Sequence, residues 1–147
     1  PGPMAQRAGQ IQVEKASREA ATTLVEASAA IDRQAWSSIT ALQRPGHPDV
    51  LARILSLYLK DSQQLVDNLR VGLTTNTAQL VNEAAHSLKS RSGMLGAISL
   101  SDLCGQMETI SRRGPLIEAE PLLEPLEAAF AQACLVFQAE LDKRTPG

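Results

Sequence analysis

A histidine and a lysine stand three residues apart within a helical pattern, at His86 and Lys89. At about 100° per residue, the apolar positions of this segment share one face, and His86 lies about 160° from its centre. A neutral imidazole nitrogen is a nucleophile near pH 7 and can accept a phosphoryl group. Because a moving phosphoryl group carries dispersed negative charge, an ammonium one turn away would stabilise it. The spacing therefore indicates phosphoryl transfer to a solvent-facing His86, with Lys89 as the compensating charge.

Small and polar residues share the face of His86. Glycine inside a helix costs about 0.5–1 kcal/mol relative to alanine. Gly93 therefore either marks the approaching end of the helix or lets a second protein come close to the imidazole. The second alternative predicts a partner-docking surface made of Gln79, Asn82, Ser90 and Gly93.

Other polar residues indicate no second reaction centre. His47 stands in a Pro/Gly loop, where a solvated side chain is expected. Arg112 and Arg113 close a predicted helix, where cations complement the helix dipole, and partner docking is the second interpretation. Acidic residues cluster near the start of the last helix, which the dipole also favours, so no catalytic acid pair is predicted there. They are Glu118, Glu120, Glu124 and Glu127.

Cofactor sites are not predicted in this chain. There is no Gly-x-x-x-x-Gly-Lys string that would cradle the phosphates of ATP, so autophosphorylation is not expected. Two cysteines and two scattered histidines are too few and too dispersed for a zinc site. Cys104 and Cys134 stand among apolar neighbours, and we expect two reduced, buried thiols.

Helices must position these residues. The chain has 147 residues, 44% of them hydrophobic and only 3% aromatic, which suits one helical domain and argues against an all-β fold. Asp32, Thr77 and Ser99 are predicted N-caps. The predicted architecture is all-α, an antiparallel four-helix bundle with an additional short N-terminal helix. The predicted helices span residues 32–43, 48–74, 78–95, 99–112 and 116–141, the last becoming regular near Pro121 or bending there.

The chain is predicted to divide at residue 30. Residues 1–30 are interpreted as a cloning scar, Pro1 to Met4, followed by a linker or accessory helix outside the core, and residues 31–147 as the bundle domain. The net charge of −2 and pI of about 5.7 give no basic field for nucleic acid. No apolar run approaches the roughly 20 residues that span a bilayer, so no direct membrane contact is expected.

The run from Ala85 to Ala97, followed by Leu100, Leu103 and Cys104, resembles the histidine-containing phosphotransfer (HPt) domain of bacterial phosphorelays. That family's core reads roughly His-x-Leu-Lys-Gly-Ser-x-x-x-Leu-Gly-Ala, followed by a leucine-rich helix with a Leu-Cys pair. The resemblance extends over residues 31–141. Ser90 departs from it, where the family usually has glycine, and so does Arg91, where a small residue is usual.

The resemblance implies a phosphorelay intermediate without kinase activity. His86 matches the phosphoacceptor and Lys89 the lysine beside it. The implied partners are receiver domains, one of a hybrid sensor kinase and one of a response regulator, and Mg²⁺ would belong to the receiver. The fragment is expected to be a cytoplasmic monomer cut from a hybrid kinase whose parent chain is anchored in the inner membrane.

Two other functions remain as alternatives. The bundle could be a helical interaction or dimerisation domain in which His86 is incidental, and acid-labile, alkali-stable label on His86 would separate that from phosphotransfer. A metal-binding bundle is disfavoured, because it would need inward-facing pairs of Glu and His.

Overall fold

The computed structural model describes residue 18 and residues 24–144. Its helices are α1 (Gln34–Thr40), α2 (Val50–Thr74), α3 (Ala78–Met94), α4 (Ile98–Arg113) and α5 (Glu120–Arg144), with a 3₁₀ turn at Leu116–Ala119 before α5. Residues 24–29 are also helical. Pro1 to Met4, interpreted above as a cloning scar, lies outside the described residues.

Helices α2 to α5 form the predicted bundle. Each packs on the next along the chain, and α2 also packs on α5, so the four helices close around one core. Short connections make successive helices antiparallel. The centre of the core consists of fully buried large side chains from all four helices. These include Leu55, Leu69, Leu88, Leu95, Leu100, Met107, Leu126 and Phe137.

Helix α1 and the residue Asp32 before it contact the C-terminal end of α3. The indole of Trp36 donates a hydrogen bond to the Leu95 carbonyl at 2.8 Å, and its ring packs on Phe137 with centroids 6.2 Å apart. Asp32 N–H donates to the Gly96 carbonyl at 2.8 Å. Gly96 has φ +83°, and a Cβ there would collide with the backbone carbonyl of Asp32. A glycine is therefore required where the chain leaves the helix that carries His86.

The described part of the segment before residue 30 contributes to the core, contrary to the prediction. Ala27 is fully buried in the hydrophobic cluster, whereas Leu24 and Val25 are exposed. A single small residue gives no amphipathic signal, and so the periodicity of the sequence does not reveal this contact.

The predicted helix bounds are correct to within a few residues, whereas only Thr77 of the three predicted caps stands at the N-cap of its helix. Arg33 occupies the N-cap of α1, and Asp32, one residue earlier, accepts a hydrogen bond from Gln34 N–H at 3.0 Å. Thr77 occupies the N-cap of α3, but its hydroxyl pairs with that of Thr75 instead. Ser99 lies inside α4, because the tight α3–α4 connection places Ala97 at the cap.

Both cysteines are free, as predicted, with Cys104 buried and Cys134 only partly buried. Among the described residues, no helix combines the length and apolar character needed to cross a bilayer.

Candidate functional site

Helix α3 presents His86 to solvent from its middle. The predicted buried stripe is observed, with Val81, Ala84, Ala85, Leu88 and Ser92 all facing the core. Tyr58 of α2 shares a hydrogen bond with Ser92 at 2.8 Å, which fixes α3 against α2. On the opposite face, 64% of the His86 side chain is exposed. The imidazole is therefore accessible to a second protein.

Glu108 of α4 holds the inner edge of this imidazole. Its Oε2 lies 2.5 Å from His86 Nδ1, and only 4% of the Glu108 side chain is exposed. An ionised carboxylate only accepts hydrogen bonds, so Nδ1 must carry the hydrogen. In the neutral ring, Nε2 then holds the free lone pair. The pairing thus leaves the free lone pair of the neutral ring on the edge that Glu108 does not occupy.

Lys89 contacts the other oxygen of the same carboxylate. Its Nζ lies 2.6 Å from Glu108 Oε1, and its stem passes Gly105, where a Cβ would be 3.5 Å from Lys89 Cδ. The lysine stem thus runs along the surface of α4 at Gly105. Lys89 therefore stands beside His86 as predicted, but it is paired with a buried carboxylate.

Arg112 is the third side chain that contacts the Glu108 carboxylate. One turn further along α4, its Nη2 lies 3.3 Å from Oε2, and 66% of its side chain is exposed. The Lys89 ammonium, followed by the hydrogen bond of His86, holds the pKa of Glu108 below its ordinary value, although burial opposes this shift. Glu108 is consequently a buried anion between two cations and the imidazole.

Sequence reasoning missed Glu108. Helical periodicity assigns a residue to a face of its own helix, but it does not give the register between two helices. The signal in the sequence was a charged residue within the buried face of α4, between Met107 and Ser111, which are both buried. Since a buried acid is rare unless it is paired, that position could have indicated a cationic partner nearby.

Two of the four predicted docking residues lie on the open surface. Gln79 and Ser90 are exposed. The Ser90 hydroxyl donates to the His86 carbonyl at 3.2 Å, one turn back along α3, and so it stays close to its own helix.

The other two docking residues face α4 instead. Asn82 is partly buried and donates to the Glu108 carbonyl at 3.1 Å and to the Ser111 hydroxyl at 3.0 Å. Gly93 is partly buried, and a Cβ there would be 3.2 Å from Ser101 Oγ. The close approach of α4 accounts for this glycine, and an approaching partner is not needed to explain it.

An apolar groove of about 300 Å³ lies between α2 and α3, on the side of α3 away from α4. Ile54 and Leu57 of α2 and Met94 of α3 line it, and about half of Leu57 and of Met94 is exposed. Asp61 and Arg91 form its charged margin.

Two further polar residues of the sequence analysis are His47 and Glu127. His47 is an exposed loop residue, and Glu127 pairs with Arg70 at 3.2 Å. Within the described residues, no three His, Cys, Asp or Glu side chains are grouped so as to hold a metal ion.

Comparison with known proteins gives one family. A family model described as "Hpt domain" matches residues 53–142, which include α3, α4 and nearly all of α2 and α5. Histidine-containing phosphotransfer protein 2 of Arabidopsis thaliana is 33% identical over 72 residues, which are 47% of this chain and 46% of that protein. The matched segment thus spans about half the length of this curated relative.

A solved structure has a similar fold. The crystal structure of histidine-containing phosphotransfer protein B from Pseudomonas aeruginosa PAO1 superposes with a TM-score of 0.70 at 27% identity. The match covers 80% of this chain and 97% of that one, so the bundle is shared over nearly the whole of the bacterial protein.

Proposed function

The chain belongs to the Hpt domain family, and from that premise we propose that His86 is the residue that carries the phosphoryl group. Membership of the family makes the domain a phosphotransfer module of two-component signalling and not a kinase. The observation that carries the assignment to His86 is its geometry, an exposed imidazole whose Nδ1 is held by a nearly buried carboxylate.

The proposed reaction is transfer from an aspartyl phosphate of a receiver domain. The lone pair of His86 Nε2 attacks phosphorus, the bond from phosphorus to the aspartate oxygen breaks, and the aspartate leaves as a carboxylate. The proton on Nδ1 stays in place, so the phosphorylated ring is cationic and forms an ion pair with Glu108. Transfer to a second receiver reverses these bond changes, with a new aspartate as acceptor.

Glu108 and Lys89 have distinct proposed roles. Glu108 is a positioning residue, since it fixes the tautomer and orientation of the imidazole without reaching Nε2. Lys89 supplies positive charge beside the reacting ring and keeps Glu108 ionised. The two short contacts that share one carboxylate support both roles.

The proposed partners are receiver domains, one in a hybrid sensor kinase and one in a response regulator. A receiver must bring its aspartate to Nε2, which places its contacts over Gln79 and Ser90 on α3. The groove beside Leu57 and Met94 offers apolar contact next to this surface. Mg²⁺ would be held by the receiver. We propose that the domain acts as a monomer.

The proposed domain spans residues 31–147, with Ala27 of the preceding segment packed against it. We propose a cytoplasmic location and, for the longer protein, a hybrid kinase anchored in the inner membrane.

Incubation with a phosphorylated receiver domain tests the proposal. Acid-labile, alkali-stable label should appear on the wild-type domain and be absent from His86→Gln. Equal labelling of both proteins would refute the assignment to His86. A domain that stays unlabelled by every receiver of its source organism would instead support the role of a plain helical interaction module.

A further inference from the structure

We propose that Arg112 is a phosphoryl-binding residue, which leaves Glu108 and binds the phosphoryl oxygens once His86 is phosphorylated. The inference rests on the proposed function of His86. It concerns a residue that the sequence indicated as a helix-end cation, with partner docking as the second interpretation.

The three side chains that contact the Glu108 carboxylate lie at different distances from it. Lys89 Nζ is 2.6 Å from Oε1 and His86 Nδ1 is 2.5 Å from Oε2, whereas Arg112 Nη2 is 3.3 Å from Oε2. The Arg112 side chain is also the most exposed of the three, at 66%. Because the Arg112 guanidinium keeps most of its solvation, this long contact is expected to contribute less than the two short contacts to the same carboxylate. Arg112 is therefore the cation that can leave at the smallest cost.

Removing Lys89 from the carboxylate would be more costly. Oε1 belongs to a side chain that is only 4% exposed, and Lys89 is its short-range donor. A buried charged oxygen without a partner is strongly unfavourable. Oε2, in contrast, keeps His86 when Arg112 departs. Lys89 is thus expected to remain on Glu108 through the reaction.

Phosphorylation of His86 weakens the attraction between the Glu108 carboxylate and Arg112. The imidazole becomes cationic when Nε2 takes the phosphoryl group, and its charged Nδ1–H then neutralises Oε2. At the same moment, up to two negative charges appear on the exposed side of the ring. Arg112 already shares Oε2 with the ring, and its long side chain can turn to these oxygens. Its planar guanidinium presents paired N–H groups that match two phosphoryl oxygens, whereas an ammonium acts as a compact point charge.

Arg113 is a matched control for this residue. It is the next residue, carries the same charge, closes the same helix and is exposed. Its side chain lines a shallow depression with Asp102 and Thr109 on the outer face of α4. The two arginines therefore differ in their access to His86 and not in their contribution to net charge.

The test uses phosphoramidate as a small-molecule donor, which removes receiver docking from the measurement. We would phosphorylate wild type, Arg112→Ala, Arg112→Lys and Arg113→Ala, and follow the pH titration of the phosphohistidine signal by ³¹P NMR. Loss of Arg112 should raise the second phosphoryl pKa by about 0.5 to 1, because a nearby cation favours the dianion. The initial rate of phosphorylation should fall roughly 3- to 10-fold. Arg112→Lys should recover part of both effects, and Arg113→Ala should match wild type.

Two results would overturn the inference. In one, Arg112→Ala and Arg113→Ala titrate and react alike. In the other, the rate falls in Arg112→Ala while the phosphoryl pKa stays unchanged, which would mean that Arg112 acts only through Glu108. If wild type and His86→Gln take up equal phosphate, the proposed function fails and the inference fails with it. Far-UV circular dichroism of each variant verifies the fold.

Discussion

Glu108 Oε2 lies 2.5 Å from His86 Nδ1, although the two residues belong to different helices and are separated by 22 positions in the chain. The contact joins a 4% exposed carboxylate to a 64% exposed imidazole. One short hydrogen bond thus places the hydrogen on Nδ1 and leaves the free lone pair of the neutral ring on Nε2.

Acidification should lower the free energy of unfolding of the bundle, because it protonates Glu108. The folded-state pKa of this carboxyl lies below its ordinary value of 4.5, so its stabilising effect is complete well above that value and is lost as pH falls through the folded-state pKa. Urea unfolding of wild type and Glu108→Gln, from about pH 7 to about pH 3, measures the effect. The difference in unfolding free energy between the two proteins should shrink on acidification. Parallel pH profiles would show that Glu108 is not held ionised by its neighbours.

Replacing Lys89 by alanine should slow phosphotransfer roughly 10- to 1000-fold, the range expected for loss of one charge-stabilising group. His86 should remain the labelled residue. Because Glu108 loses a donor, the variant should also lose about 1 kcal/mol of stability. Single-turnover transfer from a phosphorylated receiver and urea unfolding give the two numbers. An unchanged transfer rate would mean that the receiver supplies all of the charge compensation.

Bulk at Ser90 should hinder receiver docking. Ser90→Gln adds a long side chain on the exposed face, one turn from His86, and should lower receiver affinity while the bundle stays folded. Ser90→Gly should transfer at least as well as wild type, at a helix cost of about 0.5 kcal/mol. Transfer rate against receiver concentration distinguishes the variants, with circular dichroism as the control for folding. Wild-type transfer by a folded Ser90→Gln protein would show that the receiver does not approach over this turn.

Gly96 and Gly46 form a matched pair for testing the end of α3. Both have positive φ, near +83° and +80°, so alanine should cost about 1–2 kcal/mol at either position from backbone strain. Gly46 faces open space, whereas a Cβ at Gly96 meets the carbonyl of Asp32. Gly96→Ala should therefore lower the unfolding free energy distinctly more than Gly46→Ala. Equal losses in urea unfolding would show that the Asp32 carbonyl does not lie against this turn.

The sequence was sufficient to predict the bundle and the orientation of His86. Apolar spacing in α3 gives its buried stripe directly, because periodicity reports which face of a helix is apolar. The exposure of His86 follows from the same spacing. Proline and glycine gave the breaks between helices to within a few residues.

Contacts between side chains of different helices could not be predicted from helical periodicity. The Glu108 partnership and the packing of Gly93 against Ser101 both depend on how α3 and α4 are aligned, which a single-helix pattern does not contain. Asn82 was assigned to the docking surface for the same reason, since its angle on α3 does not show that α4 lies there. Ser99 was misassigned as a cap because the length of the α3–α4 turn is also a tertiary property.

The His86→Gln variant is the most direct test of whether His86 carries the phosphoryl group. The exposed position predicts a stability change within about 0.5 kcal/mol, so the variant should unfold like wild type. After incubation with a phosphorylated receiver, wild type should carry acid-labile, alkali-stable phosphate and His86→Gln should carry none. Wild-type labelling of a folded His86→Gln domain would contradict the account.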